Sequence, residues 1–315
     1  MDFAEELRRL GHEVRTFAYR RENPLYKNKS TKATYQRVIG AKLERACAAF
    51  RPSLILVIKG GPIFPALIRR IRARTGALFL NVFPDNPLLM MPIECVEAYD
   101  LFFIKEHYVR RSLEGVGLRN LHYLPLYCVP DLHHPVALSE AETARYGSRI
   151  SFVGSRYPYR ERFVKELASY PIRLWGGGWK KSREPEIRRM VAGALVLGRE
   201  KLLVYSGSLL SLNHHHPLND IFGVNTRTFE LAAAAACQVV DLKEDLSALF
   251  KPGEEVVAYR DLDELKRHLE YYLAHPDEAR AIGATARQRA LKEHRLRHRI
   301  EEIIAAVEAR FGRRS

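Results

Sequence analysis

The sequence predicts an α/β protein built from two doubly wound parallel sheets in tandem. Short apolar runs alternate with amphipathic stretches along almost the whole chain, the pattern of strands joined by crossover helices. The series restarts at Ile150, after a connection over residues 130–148 that carries Pro130, Pro135 and Ser139. A length of 315 residues is enough for two domains, each with its own core.

The first half begins with Phe3-Ala4-Glu5-Glu6-Leu7-Arg8-Arg9-Leu10, an amphipathic helix closed by Gly11. His12-Glu13-Val14-Arg15-Thr16-Phe17 reads as the second strand of a βαβ unit. The first strand and its glycine-rich loop, which should precede the helix, are missing from the sequence. A basic polar stretch from Tyr19 to Lys32 follows, then a helix over residues 33–49. Leu54-Ile55-Leu56-Val57-Ile58 is short and β-branched, as a buried parallel strand should be, and ends at Lys59-Gly60-Gly61-Pro62. A basic helix is expected over residues 63–75. Strands are expected over 77–83, ending at Pro84-Asp85-Asn86-Pro87, then over 101–104 and 122–124.

In the second half, strands are expected over residues 150–153, 172–175, 209–213, 237–241 and 256–259. Helices are expected over 161–169, 226–236, 261–274, 276–291 and roughly 293–310. The one over 226–236 is rich in alanine and suited to close packing on a sheet, and the one from Pro276 has proline in its first turn. The domain expectation is therefore a Rossmann-like acceptor-side domain over 1–146, a Rossmann-like nucleotide-sugar-binding domain over 147–290, and a C-terminal helix over 291–315 crossing back to the first domain. Ligands of such folds sit at the carboxyl ends of the strands, so a shared ligand is expected in a cleft between the two domains.

Composition narrows the class. Apolar residues make up 47 % and charged residues 28 %, which excludes a mainly disordered chain. No apolar run is long enough to span a bilayer, and the early acids do not read as a signal peptide. Cys47, Cys95, Cys128 and Cys237 stand singly, as reduced core thiols do, so a cytoplasmic setting is expected. The net charge is +14, shared between the halves: 22 basic against 15 acidic side chains up to residue 146, and 29 against 22 beyond it. Such a protein attracts phosphates, anionic lipid or nucleic acid. The basic residues of 15–37 and the helix over 63–75 suit peripheral contact with the anionic inner face of a membrane or with an acidic acceptor, and a plain solvated face is the commoner explanation.

Several segments resemble a known family. Gly223-Val224-Asn225-Thr226-Arg227-Thr228-Phe229-Glu230, the alanine helix and a strand ending at Asp241 resemble the donor-binding region of GT-B glycosyltransferases. The closer similarity is to the spore-maturation (CgeB-type) branch of the group 1 superfamily. It is supported by Leu249-Phe250-Lys251-Pro252-Gly253-Glu254-Glu255, Tyr272-Leu273-Ala274-His275-Pro276-Asp277-Glu278, Phe83-Pro84-Asp85-Asn86-Pro87, Lys59-Gly60 and Tyr123-Leu124-Pro125. The resemblance implies a metal-independent hexosyltransferase with no cofactor, using a UDP- or GDP-linked donor. The family's usual pair of glutamates is incomplete, because Phe222 stands eight positions before Glu230.

The residues fit that chemistry. A departing diphosphate needs amide donors or cations where its charge collects. The loop that opens the alanine helix offers amides at a helix N-terminus, with Asn225, Thr226, Arg227 and Thr228. Glu230 is placed to accept ribose hydroxyls; the alternative is that Asn225 or Thr226 caps the helix and Glu230 favours its dipole. Gly154, Ser155, Arg156 and Arg160 are assigned to a second phosphate-side turn, with arginines solvated at a helix start as the alternative. Trp175 and Gly176 are assigned to the base, or to plain core packing, and His214 to the sugar. Asp85, rigid between prolines, is the candidate acceptor base, with an Asx-turn as the alternative. Lys59, Gly60 and Gly61 are the candidate acceptor-side contacts. His214-His215-His216 alternate in direction along an extended run, so no metal site is assigned to them. The acceptor stays open among saccharide, lipid-linked, protein and DNA. A DNA-base glycosyltransferase of the same fold, or a non-catalytic sugar-nucleotide-binding module, is the alternative reading.

Overall fold

The structure is a computed structural model that describes residues 3–19, 32–61 and 63–312. Most of the expected basic stretch, residues 20–31, therefore lies outside the described residues. The chain divides into two compact units. One comprises Met1–Pro125, Leu218–Ile221 and Arg299–Ser315; the other comprises Leu126–Pro217 and Phe222–His298.

The first unit holds a four-stranded parallel sheet in the order β1-β2-β3-β4: β1 (Leu54–Ile58), β2 (Leu78–Phe83), β3 (Leu101–Ile104) and β4 (Leu121–Tyr123). Its helices include α1 (Phe3–Arg9), α2 (Lys32–Phe50), α3 (Pro65–Thr75), α4 (Ile93–Glu97) and α5 (His107–Gly115). Strands β2 and β3 are buried along their whole length, and Phe79, Phe83 and Phe102 pack with Ile68 and Ile71 of α3. Helix α3 starts on Pro65 and stops at Gly76, whose left-handed backbone (φ 69°) lets its amide reach Arg72 O.

One expected strand is not formed. Residues 12–17 run as irregular chain and pair with no described strand. Alternating side chains favour an extended backbone, but a strand exists only through its ladder. Strand β1 pairs with β2 alone among the described strands, and much of it is only half-buried.

Residues 218–221 reach the carboxyl ends of β2 and β3 and are held there by buried polar groups. Lys105, just past β3, forms an ion pair with Asp220, both almost wholly buried. Glu106 Oε2 accepts the Ile221 amide at 2.9 Å, and Asn86 Nδ2 donates to Leu218 O at 2.9 Å.

The second unit holds a six-stranded parallel sheet in the order β10-β9-β8-β5-β6-β7. Its strands are β5 (Ser148–Val153), β6 (Ile172–Trp175), β7 (Val191–Gly193), β8 (Ser208–Asn213), β9 (Gln238–Asp241) and β10 (Val257–Tyr259). This is the Rossmann strand order, which reverses between β5 and β8. Its helices are α6 (Glu140–Tyr146), α7 (Pro158–Lys165), α8 (Pro185–Met190), α9 (Gly198–Ser206), α10 (Thr226–Ala233), α11 (Leu246–Leu249), α12 (Leu262–Ala274) and α13 (Pro276–Glu293). α14 (Leu296–Phe311) starts here, and from Arg299 onward it belongs to the first unit. α6 lies inside the segment read as a connection, and Ser139 and Glu142 cap it reciprocally. Ala232 and Ala233 are fully buried, and a side chain on Gly283 would overlap the Ala235 carbonyl, so small residues set this helix packing. All four cysteines are buried.

Candidate functional site

The second unit carries a cavity of about 280 Å³ at the carboxyl end of its sheet, where β5 and β6 finish. The turn after β5 forms its floor. Gly154 N donates to Trp175 O at 2.8 Å, Trp179 Nε1 donates to Gly154 O at 2.6 Å, and Arg156 N donates to Gly177 O at 2.9 Å. These bonds fix the loop against the end of β6. Gly176 must be glycine here, because it has φ 146° and a side chain on it would overlap the Gly154 carbonyl.

Two guanidiniums flank Gly154. A carbon placed on its Cα would lie 3.2 Å from an Arg227 nitrogen and 3.3 Å from an Arg160 nitrogen. Both arginines line the cavity. Arg160 is buried, sits over the rings of Phe152, Tyr157 and Tyr159, and donates to Ser155 O at 3.2 Å. Arg227 Nη1 donates at 3.3 Å to Oδ1 of Asn213, which is fully buried.

Glu230, one turn further along α10, faces the same cavity. Lys201 Nζ lies 2.8 Å from its Oε1, and the Tyr205 hydroxyl donates to Oε2 at 3.4 Å. His133 Nδ1 accepts the Val129 amide, which leaves Nε2 to carry the proton 3.6 Å from Oε1. Burial holds the His133 imidazole below its ordinary pKa although Glu230 pulls the other way. Burial raises the Tyr205 phenol, and the Glu230 charge adds to the rise.

Of the residues assigned to the donor, Gly154, Ser155, Arg160, Gly176, Arg227 and Glu230 line this cavity, and the others do not. Arg156 turns to Glu161 at 2.5 Å, a pairing that raises the arginine pKa and lowers that of the carboxyl. Trp175 is buried beneath the loop after β7, against Val153 and Val196. Asn225 Oδ1 caps α10 by accepting the Thr228 amide at 3.2 Å, so that amide is already used. The Thr228 side chain is buried and accepts from Asn213 at 3.0 Å. Thr226 opens the helix outside the lining.

The three histidines do not converge on one point, although His214 and His215 both approach Asp241. His214 stacks on Phe163 with ring centres 4.0 Å apart, and its Nδ1 meets the Tyr259 hydroxyl at 3.0 Å; burial lowers it to about 4. His215 Nδ1 sits 2.7 Å from Asp241 Oδ1. His216 meets Tyr157 and Tyr159 edge-on. Burial pushes the Asp241 carboxyl up, but His215, His214 and Lys243 outweigh it and hold it well below the carboxylate range.

Sequence reasoning missed Lys201, Tyr205, Asn213, His133 and the apolar rim of Leu195, Val196 and Leu197. An Asn ending a buried strand was the one signal available for Asn213.

In the first unit, Asp85 Oδ2 pairs with Lys59 across the carboxyl ends of β2 and β1. The Asx-turn belongs to Asn86, whose Oδ1 accepts the Leu88 amide at 3.0 Å. Lys59 holds a left-handed backbone (φ 69°), rare for a residue with a side chain. Gly60 follows at φ 77°, tight against Val57, Tyr99 and Asn81. Gly61 is exposed.

Comparisons with known proteins bear on the fold and the family. The structure superposes on sucrose-phosphate synthase from Thermosynechococcus elongatus with a TM-score of 0.70 and 17% identity, covering 92% of this chain and 82% of that one. It superposes on HepE of Anabaena in complex with UDP at 0.65 and 11%, covering 86% and 82%. For α,α-trehalose 6-phosphate synthase from Burkholderia multivorans the values are 0.61 and 15%, covering 90% and 78%. Identities this low establish the fold, which is GT-B. Among curated proteins the comparison gives no match. Residues 140–305, more than half of the chain and all of the cavity lining, match the family described as glycosyl transferase-like, and the chain belongs to that family of glycosyltransferases.

Proposed function

We propose that the protein transfers a hexosyl group from a UDP- or GDP-linked sugar to an acceptor hydroxyl, without a metal ion or other cofactor. The observation that carries this reading is the pair Arg160 and Arg227 on either side of the bare Cα of Gly154. A diphosphate needs close backbone approach and positive charge, and this place offers both. Two guanidiniums, with Lys201 nearby, supply the charge that a divalent cation supplies elsewhere. Glu230 is assigned to the ribose hydroxyls, and the apolar rim of Leu195 and Leu197 to the base. The Anabaena HepE structures hold UDP and UDP-glucose, which supports the donor class.

In the reaction the acceptor oxygen bonds to the anomeric carbon and the bond from that carbon to the diphosphate oxygen breaks. The electron pair leaves with the diphosphate, whose charge Arg160 and Arg227 balance. Asp85 takes the acceptor proton on Oδ1, while Lys59 holds Oδ2. Lys59, Gly60 and Gly61 form the acceptor-side turn. Residues 1–146 take the acceptor-side role and 147–290 the donor role, within the spore-maturation (CgeB-type) branch. We place the protein in the cytoplasm, in contact with the inner membrane face through its basic surface.

The test is a thermal-shift screen of nucleoside diphosphates, followed by release of nucleotide from matched sugar donors. Saturating UDP or GDP should raise the melting temperature, by about 2.7 kcal/mol of stabilisation at 100 times Kd. Arg160→Ala and Arg227→Ala should each abolish the shift. Asp85→Asn should keep the shift and lose at least about 100-fold in transfer rate. No shift with any nucleotide would overturn the donor reading.

A further inference from the structure

We infer that Tyr19 is a positioning residue for the acceptor reaction: its hydroxyl holds the turn that presents Lys59 to Asp85. This rests on the reading of Asp85 as the acceptor base, and it gives a task to a segment that forms no strand. Lys59 is the centre of a three-residue turn. Its φ is 69°, and the Gly60 amide reaches across it to Ile58 O at 2.9 Å. A γ-turn with positive φ at its centre is the strained form, and a residue with a side chain keeps it only where its surroundings enforce it. The Tyr19 hydroxyl donates to Ile58 O at 2.6 Å and accepts the Gly60 amide at 2.7 Å. One hydroxyl therefore spans both ends of the turn, using its proton and one lone pair.

The remaining groups of the turn are held from the sheet. Lys59 N donates to Val82 O at 3.0 Å, and Nδ2 of the fully buried Asn81 donates to Lys59 O at 3.5 Å. Gly60 lies so close to Val57 and the Tyr99 hydroxyl that a carbon on its Cα would stand 2.7 Å and 2.9 Å from them. These contacts fix Lys59 N, Lys59 O and Gly60 Cα, while Tyr19 fixes the two groups that close the γ-turn itself. Tyr19 is fixed in its turn: the hydroxyl of Tyr35, a residue of α2 only 2% exposed, donates to Tyr19 O. The sign of φ decides to which side of the flanking peptides the Lys59 Cβ projects. In the strained form its ammonium pairs with Asp85 Oδ2, which leaves Oδ1 for the acceptor proton. A relaxed turn would swing the ammonium away and free the carboxylate to rotate. Displacing a reacting group by about 1 Å costs on the order of 100-fold in rate, so the turn matters although Tyr19 touches no reacting atom.

The experiment uses Tyr19→Phe, which keeps the ring and removes the hydroxyl, in two arms on the full chain. The first is competitive acetylation of lysines with acetic anhydride, read peptide by peptide. Lys59 should label at least about 3-fold faster in Tyr19→Phe than in wild type, as an amine released from its partner does. Exposed Lys180 of the second unit should label equally in both. The second arm is release of nucleotide from UDP-glucose or GDP-glucose with water as the probe acceptor. Tyr19→Phe should lower kcat at least about 10-fold and leave the donor KM and the nucleotide-induced thermal shift unchanged. In a Lys59→Met background, which already lacks the ammonium, the same change should cost less than about 2-fold. Unchanged labelling at Lys59, an unchanged kcat, or an equal loss in both backgrounds would each overturn the inference. If Asp85→Asn loses rate while Tyr19→Phe does not, the inference fails alone. If Asp85→Asn keeps the full rate, the acceptor reading fails and takes the role of Tyr19 with it.

Discussion

Lys201 Nζ sits 2.8 Å from Glu230 Oε1 inside the cavity wall, and it is the one cation that contacts this carboxylate by ion pair apart from the imidazole of His133 among the described residues. The carboxylate is mostly buried. Removing the lysine should leave it short of a partner, which costs more than the pair itself contributes. Lys201→Met should lower stability by about 1–3 kcal/mol, read from the denaturant midpoint, and adding Glu230→Gln should restore most of the loss. Equal midpoints for Lys201→Met and wild type would show the pair to be energetically silent.

The floor of the cavity depends on the absence of a side chain at Gly176. Its backbone is at φ 146° and a methyl group would overlap the Gly154 carbonyl, so Gly176→Ala must displace the turn that Arg160 and Arg227 flank. Gly253 is the control, since it has φ 85° with open space around it. Gly253→Ala should cost about 1 kcal/mol from backbone strain alone. Gly176→Ala should cost at least about 2 kcal/mol more and also erase the nucleotide-induced thermal shift. A Gly176→Ala protein that melts like Gly253→Ala would disprove the steric argument.

What the sequence made legible follows physical lines. β2 and β3 were readable because strands of a parallel sheet are buried on both faces and appear as largely apolar runs. β7 was not, since Val191-Ala192-Gly193 is an edge strand of three residues. Residues 12–17 have a strand's pattern without a strand's neighbour, and pattern alone does not supply one. In the site, Gly154, Arg160, Arg227 and Glu230 followed from the turn and helix start that carry them. Lys201 did not, because its partner is 29 residues away and nothing local in α9 distinguishes it from a solvated lysine. Arg156 looked equivalent to Arg160 until the fold gave it Glu161.

The clasp on residues 218–221 rests on an ion pair with almost no access to water. Lys105→Met would remove the cation beside the buried Asp220 carboxylate, a loss of up to about 3–5 kcal/mol. Lys105→Met/Asp220→Leu, which removes both charges, should recover most of it. Hydrogen exchange at the Ile221 amide, bonded to Glu106, should speed up in the single variant and return toward wild type in the double. A double variant as unstable as the single would mean that the segment is held by the ion pair specifically and not by burial.

Acid sensitivity should come first from His214. Its folded pKa is lowered by burial from 6.5 to about 4, so the native ring stays neutral where the unfolded chain takes a proton. The sign follows from linkage: the unfolded state binds more protons, so stability falls as pH drops. The loss begins near pH 6.5 and is complete near pH 4, with an upper size on the order of 3 kcal/mol. Asp241 is depressed by His215 against the effect of burial. Its stabilisation, present above the ordinary carboxylate pKa, is lost only at still lower pH, so the two losses follow one another. His214→Phe keeps a ring against Phe163 but cannot titrate. It forfeits the contact with the Tyr259 hydroxyl and should start lower at pH 7. Its melting temperature should decline less between pH 6.5 and 4.5 than that of the wild type; a residual slope is left by His133 and His122, which burial also holds below their ordinary pKa. Parallel declines in the two proteins would move the acid sensitivity to another group.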